Sequence, residues 1–216
     1  YMDNIREDVH QPMCYDNVSK LLFSLLLFAG YRGKYYKKID NFLKKSGLLS
    51  LKMQSVTGEI PFGGRSNQFL FNEAILSSIF EFEAIRYKKL NNMAYAKKFK
   101  NASNKCLLSI ERWLNQSPIK HVKNAFDIDN KFGCENYAYF DKYMITTASF
   151  LYPGSLFCDD TIGFEDEKSN YIFSTSKNFH KTFLKYGGCL QNAITNAKKS
   201  VKLRDADNFN CSYTEI

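Results

Sequence analysis

Two carboxylates, Glu59 and Glu73, flank a short run that concentrates polar groups: Gly58, Glu59, Ile60, Pro61, Phe62, Gly63, Gly64, Arg65, Ser66, Asn67 and Gln68. Hydrolysis of a glycosidic bond uses two carboxyls in different states, one protonated as the acid and one ionised as the base or nucleophile. Glu73 stands in the most apolar stretch of the chain, Phe69 to Phe80. Burial there would raise its pKa and suit it to the acid role. Between the two, Gly58, Gly63 and Gly64 let the backbone approach a ligand closely. Arg65 can fork onto a carboxylate or paired hydroxyls. Asn67 and Gln68 donate and accept at once, as sugar hydroxyls require, and Ser66 joins them as a substrate-binding candidate. Asn67 also falls where a helix is expected to begin, so free backbone N–H groups would converge on it. Each residue has a structural reading too. Ser66 or Asn67 would cap that helix, Arg65 would pair with a nearby acid, and Glu73 would be a buried carboxylate paired with Arg or Lys. A nucleotide P-loop is excluded, because the G-x-x-x-x-G-K-[ST] pattern is absent and no clear strand precedes the glycines.

A second group runs from Cys134 to Tyr143 and carries Glu135, Tyr137, Tyr139 and Asp141. On a helix over this stretch, Glu135, Tyr139 and Tyr143 would share one face. Tyrosine rings stack on pyranose rings, and a tyrosine hydroxyl can act as acid or base in uronate elimination. Asp141 is a further candidate base, and Glu135 a further substrate contact. The alternative is a plain aromatic core helix. His10, His121 and His180 stand far apart and read as surface or satisfied histidines, with His121 of interest for its place in a long loop. The six cysteines form no C-x-x-C pair and have no histidine at zinc spacing, so no metal site or cofactor is expected and buried free thiols are.

Helices must position these groups. Asp16 reads as the N-cap of a helix over 17–29, stopped by Gly30. A second covers 34–45, with Tyr35, Ile39, Phe42 and Leu43 on one face and Gly47 as its end. From 67 to 90 runs a long helix whose first half is apolar nearly all round, which predicts burial on most sides. The next, over 93–114, keeps Tyr95, Phe99, Ala102, Cys106, Ile110 and Trp113 on one stripe, with Lys97, Lys98, Lys100 and Lys105 solvating the other side. Pro118 opens a loop of roughly twenty residues, longer than a plain connector. A helix over 135–151 follows, closed by Pro153 and Gly154. A short strand is expected at 171–174, an amphipathic segment at 179–184 and a weak helix at 190–199.

The chain has 216 residues, 44% hydrophobic, and a formal charge of +8. That is enough for one good core. The basic balance permits an anionic partner, but the lysines are dispersed rather than gathered in an Arg-rich stripe, which argues against nucleic acid. The apolar run Leu21 to Ala29 is too short to cross a bilayer and reads as a buried helix. The chain opens at Tyr1 and reads as a mature form or part of something longer, either cytoplasmic or exported with its signal removed.

The segments Leu51 to Ser66, Asn72 to Ala74 and Glu135 to Met144 resemble a carbohydrate-active family with the six-hairpin, or (α/α)6 toroid, fold. The family includes glycosidase-like proteins and the helical domains of heparinase II/III-type lyases. The resemblance covers about residues 10–160 and is most specific from Met53 to Ala74. It implies a mainly all-α domain over 1–160, a partial or complete toroid of helical hairpins, with 161–216 as a C-terminal extension carrying a little β structure. It also implies concentric inner and outer helices, and loops at one end that form a cleft for an acidic oligosaccharide or polysaccharide. Glu59, Arg65, Asn67, Glu73, Tyr137 and Tyr139 would face that cleft. Three activities remain open: a glycoside hydrolase on uronic-acid-containing saccharides, a polysaccharide lyase on the same scaffold, and a non-catalytic domain binding glycan or protein. A full toroid takes about twelve helices, and the sequence supplies six or seven.

Overall fold

The computed structural model describes residues 13–60, 66–124 and 137–164. Arg65, Glu135, the strand expected at 171–174 and the segments at 179–184 and 190–199 lie outside them. The described residues form five helices: α1 (Met13–Phe28), α2 (Tyr36–Met53), α3 (Phe71–Lys89), α4 (Met93–Leu114) and α5 (Phe140–Phe157). They contain no strand beyond one isolated antiparallel bridge between Phe69 and Val122. The described part is therefore all-α, as the periodicity predicts.

The centre of the fold is α3, in which fifteen of nineteen residues are buried. A helix without a polar face needs neighbours on every side, and α1, α2, α4 and α5 all pack against it. One cluster forms toward α4, where Leu76 and Phe80 meet Ala96, Phe99 and Cys106. Another forms toward α1, α2 and α5, where Ile75, Ile79 and Phe82 meet Leu21, Leu43 and Phe157. Each large side chain sealed this way contributes on the order of 2 kcal/mol. Small residues on α3 let neighbours come close: the Ser77 and Ser103 hydroxyls pair at 2.9 Å, and the Ser78 hydroxyl donates to the Phe150 carbonyl at 2.6 Å.

Gly30 stops α1 as expected. Its φ of +94° closes a cap in which Gly30 donates to the Leu27 carbonyl and Tyr31 to that of Leu26. Other boundaries depart from expectation. α1 begins at Met13, so Asp16 lies in the first turn and pairs with Lys20 instead of capping. The same helix is only half covered: Leu21 and Leu27 are buried, while Leu22, Phe23, Leu26 and Phe28 are exposed. Gly47 does not end α2, which continues to Met53; the glycine is buried in mid-helix against Glu83. Pro153 and Gly154 do not close α5, which runs on to Phe157. Gly154 lets α3 approach, since a Cβ there would meet Ser78 Oγ at 2.8 Å. Lys100, expected among solvating lysines, is buried and donates to Glu81 at 2.9 Å.

Candidate functional site

Three segments far apart in sequence meet at the N-terminal end of α3. The turn before α3 is pinned by Asn72, whose amide nitrogen donates to the carbonyls of Ser66, Asn67 and Phe69 at 2.8, 3.2 and 2.9 Å. The strand-like piece around Val122 then pairs with this turn: Phe69 bridges Val122, and the Lys123 N–H donates to the Gln68 carbonyl at 2.7 Å. The entry to α5 closes the group. His121 Nε2 lies 2.7 Å from the Ala138 carbonyl, and the Tyr143 ring stacks on Phe69 with centroids 3.9 Å apart.

Glu59 reaches this end on a tight loop. Ser55 and Glu59 close it with two hydrogen bonds, Ser55 N–H to the Glu59 carbonyl and Glu59 N–H to the Ser55 hydroxyl, each 3.0 Å. Gly58, at φ +89°, presses against α4 so closely that a Cβ would sit 2.0 Å from the Lys105 carbonyl oxygen; only glycine fits. Gln54 fastens the same loop, donating to the carbonyls of Gly58 at 3.2 Å and Ala102 at 2.8 Å. The Glu59 carboxylate then accepts from Arg112 at 3.0 Å, Trp113 Nε1 at 3.2 Å and Ser109 at 3.4 Å, all through Oε1.

Glu73 lies next to this loop. Its Oε1 accepts from the N–H of Ile60, the residue after Glu59, at 3.2 Å, and from Lys123 Nζ at 2.7 Å. Its side chain is 0% exposed, and Oε2 has no hydrogen-bond partner. Burial raises the pKa of this carboxyl, Lys123 opposes the rise, and the charge of Glu59 adds to it. The Cys106 thiol beside them is pushed well up, chiefly by burial and then by Glu73, and stays neutral. The two glutamates thus occupy unlike surroundings: one sealed from solvent, the other held by a partly exposed guanidinium and an indole.

The remaining sequence candidates fall as follows. Ser66 and Asn67 are buried in the turn, with Ser66 Oγ 3.0 Å from the Tyr15 hydroxyl. The first helical residue of α3 is Phe71, so Asn67 stands ahead of the helix and neither it nor Ser66 caps it. Gln68 lends its carbonyl to Lys123. Tyr137 and Tyr139 precede α5, with Tyr139 at its N-cap in extended conformation, so the face expected of Tyr139 and Tyr143 on one helix does not form. Both are open to solvent, Tyr137 38% and Tyr139 63%. Lys142 lies 5.6 Å from the Tyr137 ring centroid. Asp141 is exposed in the first turn of α5. Among the described residues no hydrogen bond or ion pair joins Tyr137, Tyr139 or Asp141 to either glutamate.

Sequence reasoning missed Lys123, Arg112, Trp113 and Asn72 as partners of the site. The available sign for Lys123 was its place in a loop too long to be a plain connector, next to an apolar Val122 that had to be buried somewhere. Arg112 and Trp113 sit at the end of α4 and read as helix surface and helix core. Nothing in the local sequence ties them to Glu59.

Among the described residues no three of the side chains His, Cys, Asp and Glu stand together as a metal site would need, and no helix is long and apolar enough to cross a membrane. Fold and site together define a helical domain that brings two separately held glutamates, Glu59 and Glu73, to one end of a buried central helix. No protein-family model, no curated protein and no solved structure matches the chain.

Proposed function

We propose that this protein is carbohydrate-active and cleaves a uronic-acid-containing saccharide by glycoside hydrolysis at the N-terminal end of α3. The observation that carries the reading is the pairing of Glu59 and Glu73 through Ile60, with burial raising the pKa of Glu73 and Arg112 holding Glu59. Acid–base cleavage of a sugar acetal uses two carboxyls, one of them kept protonated. Glu73 takes the acid role and Glu59 the base. Glu73 meets a glycosidic oxygen when its ion pair with Lys123 opens. The finer fold this reading adopts is an (α/α)6 toroid; the five described helices support its all-α class alone. The net charge of +8 favours an acidic saccharide.

Elimination is the second reading, and one observation favours it. Tyr137 and Tyr139 are exposed acid–base groups at this end, and Lys142 stands beside Tyr137. In this version a tyrosine hydroxyl abstracts the proton at C5 of the uronate.

Incubation of the full chain with polygalacturonate, hyaluronan and alginate separates the readings. Hydrolysis yields reducing ends without new ultraviolet absorbance, whereas elimination yields an absorbing unsaturated uronate. We expect Glu59→Gln and Glu73→Gln each to lower turnover roughly 100-fold or more, with Tyr139→Phe close to wild type. Loss of turnover in Tyr137→Phe or Tyr139→Phe, together with unsaturated product, transfers the reaction to elimination. Absence of both products with all three polymers counts against an enzyme of this kind.

A further inference from the structure

The far end of α3, ~20 Å from Glu73 at the rise of an α-helix, holds a feature that glycan cleavage leaves unused. The end of α1, the first turns of α2 and the last turns of α3 border a half-open cavity of about 380 Å³. Such a volume lies in the range of small-molecule sites. Leu27, Phe82 and Ile85 give it an apolar wall. Arg32, Lys44, Arg86 and Lys89 also line it, against one carboxylate, Asp40.

The sequence places these groups by simple periodicity. Tyr36, Asp40 and Lys44 recur every four residues and share one face of α2, and Phe82, Arg86 and Lys89 share a face of α3. The Gly30 turn brings Arg32 back over the end of α1. There its guanidinium donates to the Leu27 and Tyr31 carbonyls at 3.1 and 2.7 Å and lies 4.8 Å from the Tyr36 ring centroid. Cations at the end of α3 offset its dipole. That accounts for Arg86 and Lys89. It does not account for Arg32 and Lys44, which come from other elements.

Charge counting points the same way. Arg86 pairs with Asp40 and lies 2.9 Å from a buried Glu83 oxygen through Nε. The four cations thus face two carboxylates, Asp40 and Glu83. Among the described residues Arg32 and Lys89 make no ion pair, and Lys44 makes none either, though its charge is felt by Glu83. Arg86 Nη2 is buried with no hydrogen-bond partner, a costly state that an oxygen acceptor would relieve.

We propose that this cavity binds a small amphipathic organic anion, its carboxylate or phosphate oxygens held by Arg32, Lys44, Arg86 and Lys89 and its ring against Leu27, Phe82 and Ile85. The site is independent of the glutamate pair and stands whether or not the chain cleaves glycans.

Isothermal titration of the full chain with 2-naphthoate, 2-naphthyl phosphate and the neutral 2-naphthalenemethanol tests it. At least one anion is expected to bind with a stoichiometry of one, with the neutral compound roughly tenfold weaker or worse. The tighter of the two anions then assigns carboxylate or phosphate. Arg32→Gln with Lys44→Gln should weaken the anion roughly tenfold or more, with a wild-type circular-dichroism spectrum showing that the pair still folds, and Lys44→Gln alone, which keeps the Arg32 contacts, should weaken it in the same direction. Lys37→Gln with Lys38→Gln, exposed on the same helix but not lining the cavity, should leave affinity unchanged, as should Glu73→Gln. The proposal is overturned if no probe binds, if the neutral compound binds equally well, if the Arg32/Lys44 pair is silent, or if the Lys37/Lys38 pair weakens binding as much.

Discussion

Glu83 is nearly sealed between α2 and α3, and its carboxyl is pushed from an ordinary 4.5 up to about 7, first by burial and with Asp40 adding to the rise. Arg86 and Lys44 oppose that rise without cancelling it. The sign of the consequence follows. Between those two pH values the folded chain holds a proton that the unfolded chain has released, so stability falls as pH rises through the window. The loss amounts to something on the order of 3 kcal/mol by the top of it. Glu73 acts in the same sense, its pKa also being raised. Asp159, lowered to about 2 by Lys88 and Thr161, works in the opposite sense but only in more acid solution. We therefore expect the urea midpoint of the wild type to drop between pH 5 and pH 8. Glu83→Gln should flatten that slope, leaving the share due to Glu73. A wild-type midpoint that rises steadily over the same interval would show Glu83 ionised throughout.

Gly47 raises the same contact to the level of helices. In an exposed helix, glycine to alanine gains about 1 kcal/mol. Here the new Cβ would lie 2.7 Å from Glu83 Cγ and 3.0 Å from its Cδ, so the buried Glu83 side chain would have to shift. Overpacking of this kind costs about 1–3 kcal/mol, so Gly47→Ala should destabilise by ~1 kcal/mol or more in chemical unfolding. Glu83→Ala in the same chain should return part of that loss, giving a coupling that two independent sites would not have. The contact also explains why the second helix could not be bounded from sequence. Glycine near the end of a periodic run signals a stop when the chain turns there; a glycine that admits a neighbouring helix gives the same local sign. Pro153 and Gly154 mislead in the same way in α5, where Gly154 answers to Ser78 on α3. Where the signal was local, as at Gly30 and over Phe99, Ala102, Cys106 and Ile110 of α4, sequence and structure agree, while Tyr95 is exposed and Lys100 buried against expectation. Where it depended on a partner helix, they part.

Across the molecule, the reading of the first half of α3 as apolar nearly all round carried most of what was legible. It implied burial on most sides, and four helices provide it. The candidate site was legible in its glutamates and tyrosines, because their types announce chemistry. Their partners were not, since Lys123 and Arg112 reach Glu73 and Glu59 across fifty or more positions that no local pattern spans. A fold built round one buried helix also has a definite order of opening. Exposing α3 means parting it from all its neighbours at once, whereas α1 already shows Leu22, Phe23, Leu26 and Phe28 to solvent. Amide exchange reports these differences as separate opening free energies. In native-state hydrogen exchange, peptides from the middle of α3 should exchange only through global unfolding and so be the slowest. Those from the second half of α1 should be faster by roughly tenfold or more. Equal protection of the two would mean that the apolar face of α1 is covered in solution, and would identify that helix as a second buried element of the fold.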